Sequence, residues 1–214
     1  MMSIPTNIYS DIRPQLNIAD LDVIENAAGP GKRFVLWMQG CKKSCPGCAN
    51  KNFAAITVKN SFHISNLFKI LQQNQTINGI SLSGGEPLLQ SLPLIPFLKQ
   101  IQKNHLSVVC YTGYTLKQLV DQNNPIINTF LNYVDLLIDG DYRHDLPRAG
   151  AFRPSSNQKI HFLSNHFSPE SLKNIPETVF SITDKKASIT GTLPDAIKNK
   201  IVKRLGEQGI FFKF

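Results

Sequence analysis

The sequence predicts an α/β protein built on a parallel sheet. Two observations carry that expectation. Short apolar runs alternate with stretches whose apolar residues recur at helical spacing, and such alternation implies strands joined by right-handed crossovers. Polar or glycine-rich segments then follow successive runs, at residues 40–48, 83–86, 112–114 and 139–141. Ligands of parallel α/β folds sit at the carboxyl ends of strands, so these four segments predict one site along one edge.

The elements follow in order. Residues 16–24 read as an edge strand, and Ala28-Gly29-Pro30-Gly31 as a turn. Residues 33–38 are a short apolar run, read as a buried strand that opens into a cysteine loop. Ile64, Leu67, Phe68 and Leu71 repeat at helical spacing, giving a helix near 65–73 with Ser61 or Ser65 as its cap. A strand over 78–82 leads to Ser83-Gly84-Gly85-Glu86-Pro87. Residues 88–104 are helical in period, with Pro93 and Pro96 breaking the start. Strands over 106–111 and 134–138 flank a helix at 116–121. Residues 159–163 and 178–182 supply a fifth and a sixth strand, 194–205 a final amphipathic helix and 209–214 a last strand. The chain divides into a lead-in (1–32), a core (33–183) and a C-terminal helix and strand extension (184–214).

Composition bounds the function. The 214 residues suffice for one sizeable core. Lys plus Arg number 23 against 15 Asp plus Glu, a formal charge of +8, but the basic residues are scattered and form no block. Nucleic-acid binding is therefore not expected as the main role; a basic surface suits an acidic protein partner. No apolar run approaches the ~18 residues of a membrane span. Residues 1–9 show neither a basic nor an apolar leader region, so a cytoplasmic location is expected.

Three of the four cysteines, Cys41, Cys45 and Cys48, lie in one short loop; Cys110 stands apart in an apolar strand and reads as a core residue. Cys45-Pro46-Gly47-Cys48 is too tight for an ordinary bridge, and clustered thiols in a reducing compartment more often bind metal or do redox work. Structural zinc and ordinary iron–sulfur clusters take four protein ligands. Three thiolates on a 4Fe-4S cube leave one iron open to a substrate or cofactor. Gly84 and Gly85 let backbone approach a bound molecule, where a main-chain edge could meet an ammonium group. Glu86 can stabilise either the loop or that charge. Taken alone, Gly-Gly-Glu is also an ordinary strand–helix turn.

The combination of C-x3-C-x2-C with S-G-G-E-P resembles the radical S-adenosyl-L-methionine (SAM) superfamily. Within it the chain is most similar to the branch that activates glycyl-radical enzymes, the anaerobic ribonucleotide reductase type. The likeness runs from about Ala28 to His161. It includes Gly29-Pro30-Gly31-Lys32-Arg33-Phe34, the cysteine loop with Asn50, and Tyr111-Thr112-Gly113-Tyr114. It continues through Val134 to Gly140 and Phe152 to Ile160. The resemblance implies a partial parallel (β/α)6 barrel. Cys41, Cys45 and Cys48 would hold a 4Fe-4S cluster whose open iron takes the amino and carboxylate groups of SAM. Ser83, Gly84, Gly85 and Glu86 would receive the methionine end, with backbone at Gly47 and Ala49 close by and Thr112, Gly113 and Asp139 as further contacts. Reductive cleavage of SAM would give a 5′-deoxyadenosyl radical that takes hydrogen from a glycine of the partner, an enzyme such as anaerobic ribonucleoside-triphosphate reductase. Flavodoxin or ferredoxin would donate the electron. No side chain is assigned as general acid or base, since the cofactors carry the chemistry.

Residues after His161 depart from the short activators, and Pro154 replaces a small residue. The tail either extends the sheet or recognises another substrate. A peptide or small metabolite as substrate, or a non-enzymatic metal-binding module, are the competing readings. His63, His105, His161 and His166 read as solvated or core. His144 falls near the site, and Tyr114 either stacks near adenine or closes the strand end.

Overall fold

The computed structural model describes residues 15–74, 76–146, 150, 152–173, 178–182, 187–191 and 195–207. β1 (Gln15–Glu25) and β2 (Lys32–Met38) form an antiparallel pair. β3 (Ser61–His63) runs into α1 (Ile64–Gln72), and β4 (Gly79–Gly84) is followed by α2 (Ser91–Lys103). β5 (Ser107–Tyr111), α3 (Leu116–Asp121), α4 (Pro125–Leu131), β6 (Leu136–Asp139) and β7 (Lys159–Phe162) come next. β8 (Thr178–Ile182), β9 (Ala187–Gly191) and α5 (Asp195–Gly206) complete the described chain.

A seven-stranded sheet runs in the order β3-β1-β2-β4-β5-β6-β7. Its centre, β2-β4-β5-β6, is parallel. These strands are covered on both faces, which is why they read as unbroken apolar runs rather than alternating ones. On one face Leu36, Ile80, Leu82 and Cys110 pack with Leu67 of α1, Leu94, Phe97 and Ile101 of α2 and Phe130 of α4. On the other, Val109, Leu136 and Ile138 pack with Phe152, Ile160 and Phe167.

Arg33 secures the amino ends of the parallel strands. It is fully buried. Its Nε donates to Ser81 Oγ (2.7 Å), one terminal nitrogen to Pro30 O (3.1 Å) and Ser107 Oγ (3.0 Å), and the other to Ser107 O (2.9 Å) and Ile80 O. Burial pulls its pKa down to about 10, still cationic at neutral pH.

The expected six parallel strands are met by four. β7 pairs antiparallel with β6. A parallel return needs a crossover over the sheet face, usually a helix. The described part of the 140–158 connection contains no helix and folds back at the site edge instead. β8 pairs with β9 in a separate two-stranded sheet, so it does not extend the main one. The main sheet is open, ending at β3 and β7. β1 lies one strand in from the edge, although β3 covers only Gln15 to Asn17 of it. The cap of α1 is His63, without a side-chain bond, rather than either serine. Pro93 and Pro96 lie inside α2. Pro93 sits in the first turn, where its missing N–H would have had no partner anyway. Residues 209–214 lie outside the described residues. Among the described residues no helix is long and apolar enough to cross a membrane.

Candidate functional site

The register aligns the strand ends: Met38 lies opposite Gly84, Leu82 opposite Cys110 and Tyr111 opposite Ile138. The segments that follow β2, β4, β5 and β6 therefore open at one edge. The cysteine loop is anchored where it leaves β2, with Gly40 N donating to Phe53 O (2.8 Å) and Cys41 N to Ala54 O (2.9 Å). Cys41, Cys45 and Cys48 are free and partly buried, and Cys110 is enclosed in β5.

Two of the three loop sulfurs accept main-chain hydrogen bonds. Cys41 Sγ takes the Lys43 amide at 3.4 Å, and Cys45 takes the Tyr142 amide from the loop after β6. Burial pushes both thiols up, and neighbouring Glu86, Cys45 and Cys48 add to the effect at Cys41. Among the described residues no three Cys, His, Asp or Glu side chains converge on a single ion. A 4Fe-4S cube takes one thiolate per iron, and three free, partly buried thiols on one loop are donors of the kind it uses.

The turn after β4 lies against the cysteine loop. Gly85 N donates to Met38 O and Glu86 N to Gly40 O, both at 2.8 Å. A Cβ on Gly85 would stand 2.3 Å from Gly40 O, so the two main chains meet only because residue 85 is glycine. Gly84 adopts φ +92°, a conformation that favours glycine. Ser83, Gly84 and Gly85 remain partly open.

Glu86 points inward and is 1% exposed. Its Oε1 accepts from Leu88 N (3.1 Å) and Thr112 Oγ1 (2.9 Å), and its Oε2 from Gly113 N (2.9 Å). Of the two roles the sequence allowed it, bracing the loop is the one this geometry displays. Burial raises its pKa, while those three donors and Lys43 oppose the rise. Thr112 Oγ1 also accepts from Tyr114 N (3.1 Å). Asp139, 2% exposed, accepts from Leu116 N (2.6 Å) and Lys159 N (3.2 Å), fastening α3 and β7 to the end of β6. His161 Nε2 lies 2.8 Å from Asp139 Oδ2 but outside hydrogen-bond geometry. Gly47 and Ala49 are exposed on the cysteine loop, and Gly47 lies under the exposed His144 side chain, 3.0 Å from where a Cβ would stand.

Sequence reasoning placed Lys43 and Asp141 in the site segments but missed two pairings there. Lys43 and Asp141 form an ion pair at 2.6 Å, and His161 meets Asp139. Lys43 and Asp141 are 98 residues apart, and no local spacing connects them.

Comparison with known proteins gives concordant findings. Residues 27–161 match the 4Fe-4S single cluster domain family. The chain is 36% identical over 146 residues to the anaerobic ribonucleoside-triphosphate reductase-activating protein of Salmonella typhi, covering 63% of this chain and 91% of that one. The Escherichia coli K12 protein of that name is 34% identical over the same shares, and the one from Enterobacteria phage T4 is 32% identical, covering 62% and 85%. A likeness to the crystal structure of QueE from Escherichia coli is confined to 47% of this chain and 54% of that one. Its TM-score is 0.41 and its identity 20%, too partial to fix an architecture.

Proposed function

The chain belongs to the 4Fe-4S single cluster domain family and to the family of the anaerobic ribonucleoside-triphosphate reductase-activating proteins, and on that premise we propose that it is a radical SAM enzyme that installs a glycyl radical on a partner enzyme. The observation that carries the proposal is the cysteine loop held against the Gly84–Gly85 turn at the shared strand edge. When bound, the cluster and SAM supply the electron and the 5′-deoxyadenosyl radical that removes hydrogen from the partner's glycine.

In this reading Cys41, Cys45 and Cys48 hold the cluster. Burial raises the Cys41 and Cys45 thiol pKa values, so loading at those two must release protons. Ser83, Gly84 and Gly85 present main chain to the methionine end of SAM, and Gly47, Ala49 and Gly113 border it. Glu86, Thr112 and Asp139 act mainly by holding those loops in place. The four parallel strands form the wall of a partial barrel within the 33–183 core, open at one side to admit a macromolecular substrate. The partner is a reductase of the anaerobic ribonucleotide type, the electron donor flavodoxin or ferredoxin, and the compartment the cytoplasm.

Anaerobic reconstitution followed by dithionite and SAM should yield 5′-deoxyadenosine. Cys41→Ala, Cys45→Ala and Cys48→Ala should each abolish it, whereas Cys110→Ala should retain the cluster. An EPR doublet on a co-incubated reductase identifies the glycyl radical. SAM cleavage without that doublet would point to a peptide or small metabolite instead, and one zinc with no sulfide would overturn the assignment.

A further inference from the structure

Lys43 stands inside the cysteine loop, yet its side chain is bound elsewhere. Its stem crosses Gly113 so closely that a Cβ there would come within 2.6 Å of Lys43 Cδ. Its ammonium lies 4.4 Å from the centre of the Tyr114 ring and 2.6 Å from Asp141 Oδ1. The side chain is only 19% exposed.

Asp141 is itself held. Asn157 Nδ2 donates to Asp141 O (2.7 Å), Gln158 Nε2 to Gly140 O (3.0 Å), and Arg143 N to the buried Ser155 Oγ (3.2 Å). The loop after β6 is thus fixed from behind by residues 155–158, and Lys43 reaches it from the front. Next to Asp141, the Tyr142 amide faces the Cys45 sulfur.

We propose that the Lys43–Asp141 pair is a latch that positions the cysteine loop against the loop after β6. Lys43 is a positioning residue: it sets where Cys45 lies relative to the Tyr142 amide. Hydrogen bonds to cluster sulfurs and nearby charge tune the reduction potential of an iron–sulfur centre. The latch therefore joins loop geometry to redox poise. This inference rests on the reading of Cys41, Cys45 and Cys48 as cluster ligands.

The test is a double-mutant cycle read by hydrogen–deuterium exchange of peptides spanning 41–48 and 140–145, on the full chain before cluster loading. Lys43→Met and Asp141→Asn should each speed exchange about fivefold, the scale of one partly shielded ion pair. The double variant should be no faster than either single, because both remove the same bond. Lys43→Arg should stay within twofold of the parent chain. In the loaded protein Lys43→Met should shift the midpoint potential to more negative values. Unchanged exchange in either single variant, or about twenty-fivefold in the double, would overturn the latch. Iron and sulfide content after reconstitution tests the cluster reading separately: a chain that takes up no cluster yet shows the non-additive exchange keeps the latch and loses the assignment.

Discussion

Replacing Glu86 by alanine removes the acceptor of three donors at once: the buried Leu88 N and Thr112 Oγ1 and the half-buried Gly113 N. A buried donor left unpaired costs about 1–3 kcal/mol. The loss is partly offset because a carboxylate no longer has to be buried, and some water will enter. A net cost of about 3–5 kcal/mol is expected for Glu86→Ala. Glutamine should behave differently. With its carbonyl in the Oε1 position it keeps the Leu88 and Thr112 bonds and turns its NH2 on the Gly113 amide, losing one contact at about 1–3 kcal/mol. For a chain of this size each kcal/mol moves the melting temperature by about 2–4 °C. The alanine variant should therefore melt about 6–20 °C lower, and the glutamine variant clearly less. Circular dichroism melts under anaerobic, reducing conditions without cluster would measure this. A melting point for Glu86→Ala within 2 °C of the parent, or equal losses in both variants, would refute the brace.

The same carboxyl sets a pH dependence. Its folded pKa is raised above the ordinary 4.5, so over the window above 4.5 the unfolded chain ionises first and stability falls as pH rises. Urea midpoints of the parent relative to Glu86→Gln should decline across that window, and parallel profiles would contradict it. Gly85→Ala should push main chain away from Gly40 O and lower iron per chain after reconstitution, while costing only about 1–3 kcal/mol of stability. Arg33→Met should cost about 3–5 kcal/mol by urea unfolding, since five donors are withdrawn from buried acceptors. Iron loading per folded chain should be unchanged there, because Arg33 lies at the opposite end of the strands from the cysteine loop.

What could be read in advance depended on the range of the interaction. The strands at 33–38, 78–82, 106–111 and 134–138 are each buried on both faces, and such burial leaves a continuous apolar signature a few residues long. Thiol spacing in the cysteine loop and the Gly84–Gly85 turn are equally local, as is the period of α1 and α5. The direction of β7 was not legible, because it depends on how the 140–158 connection is spent. The partner of β8 was missed because Ala187–Gly191 carried no strong strand signal and pairs with it nearby.

The sequence by itself determined the α/β class, the order of the parallel strands' segments and the three thiols with the glycine turn that meets them, because each is set by the chemistry of a few adjacent residues. Only the tertiary structure decided that Glu86 turns inward as a brace, that Arg33 ties the far strand ends and that Lys43 finds Asp141 across 98 residues. Those contacts exist because the parallel register brings distant segments together at the ends of the sheet, Glu86 and Lys43 at the carboxyl ends of the strands and Arg33 at their amino ends.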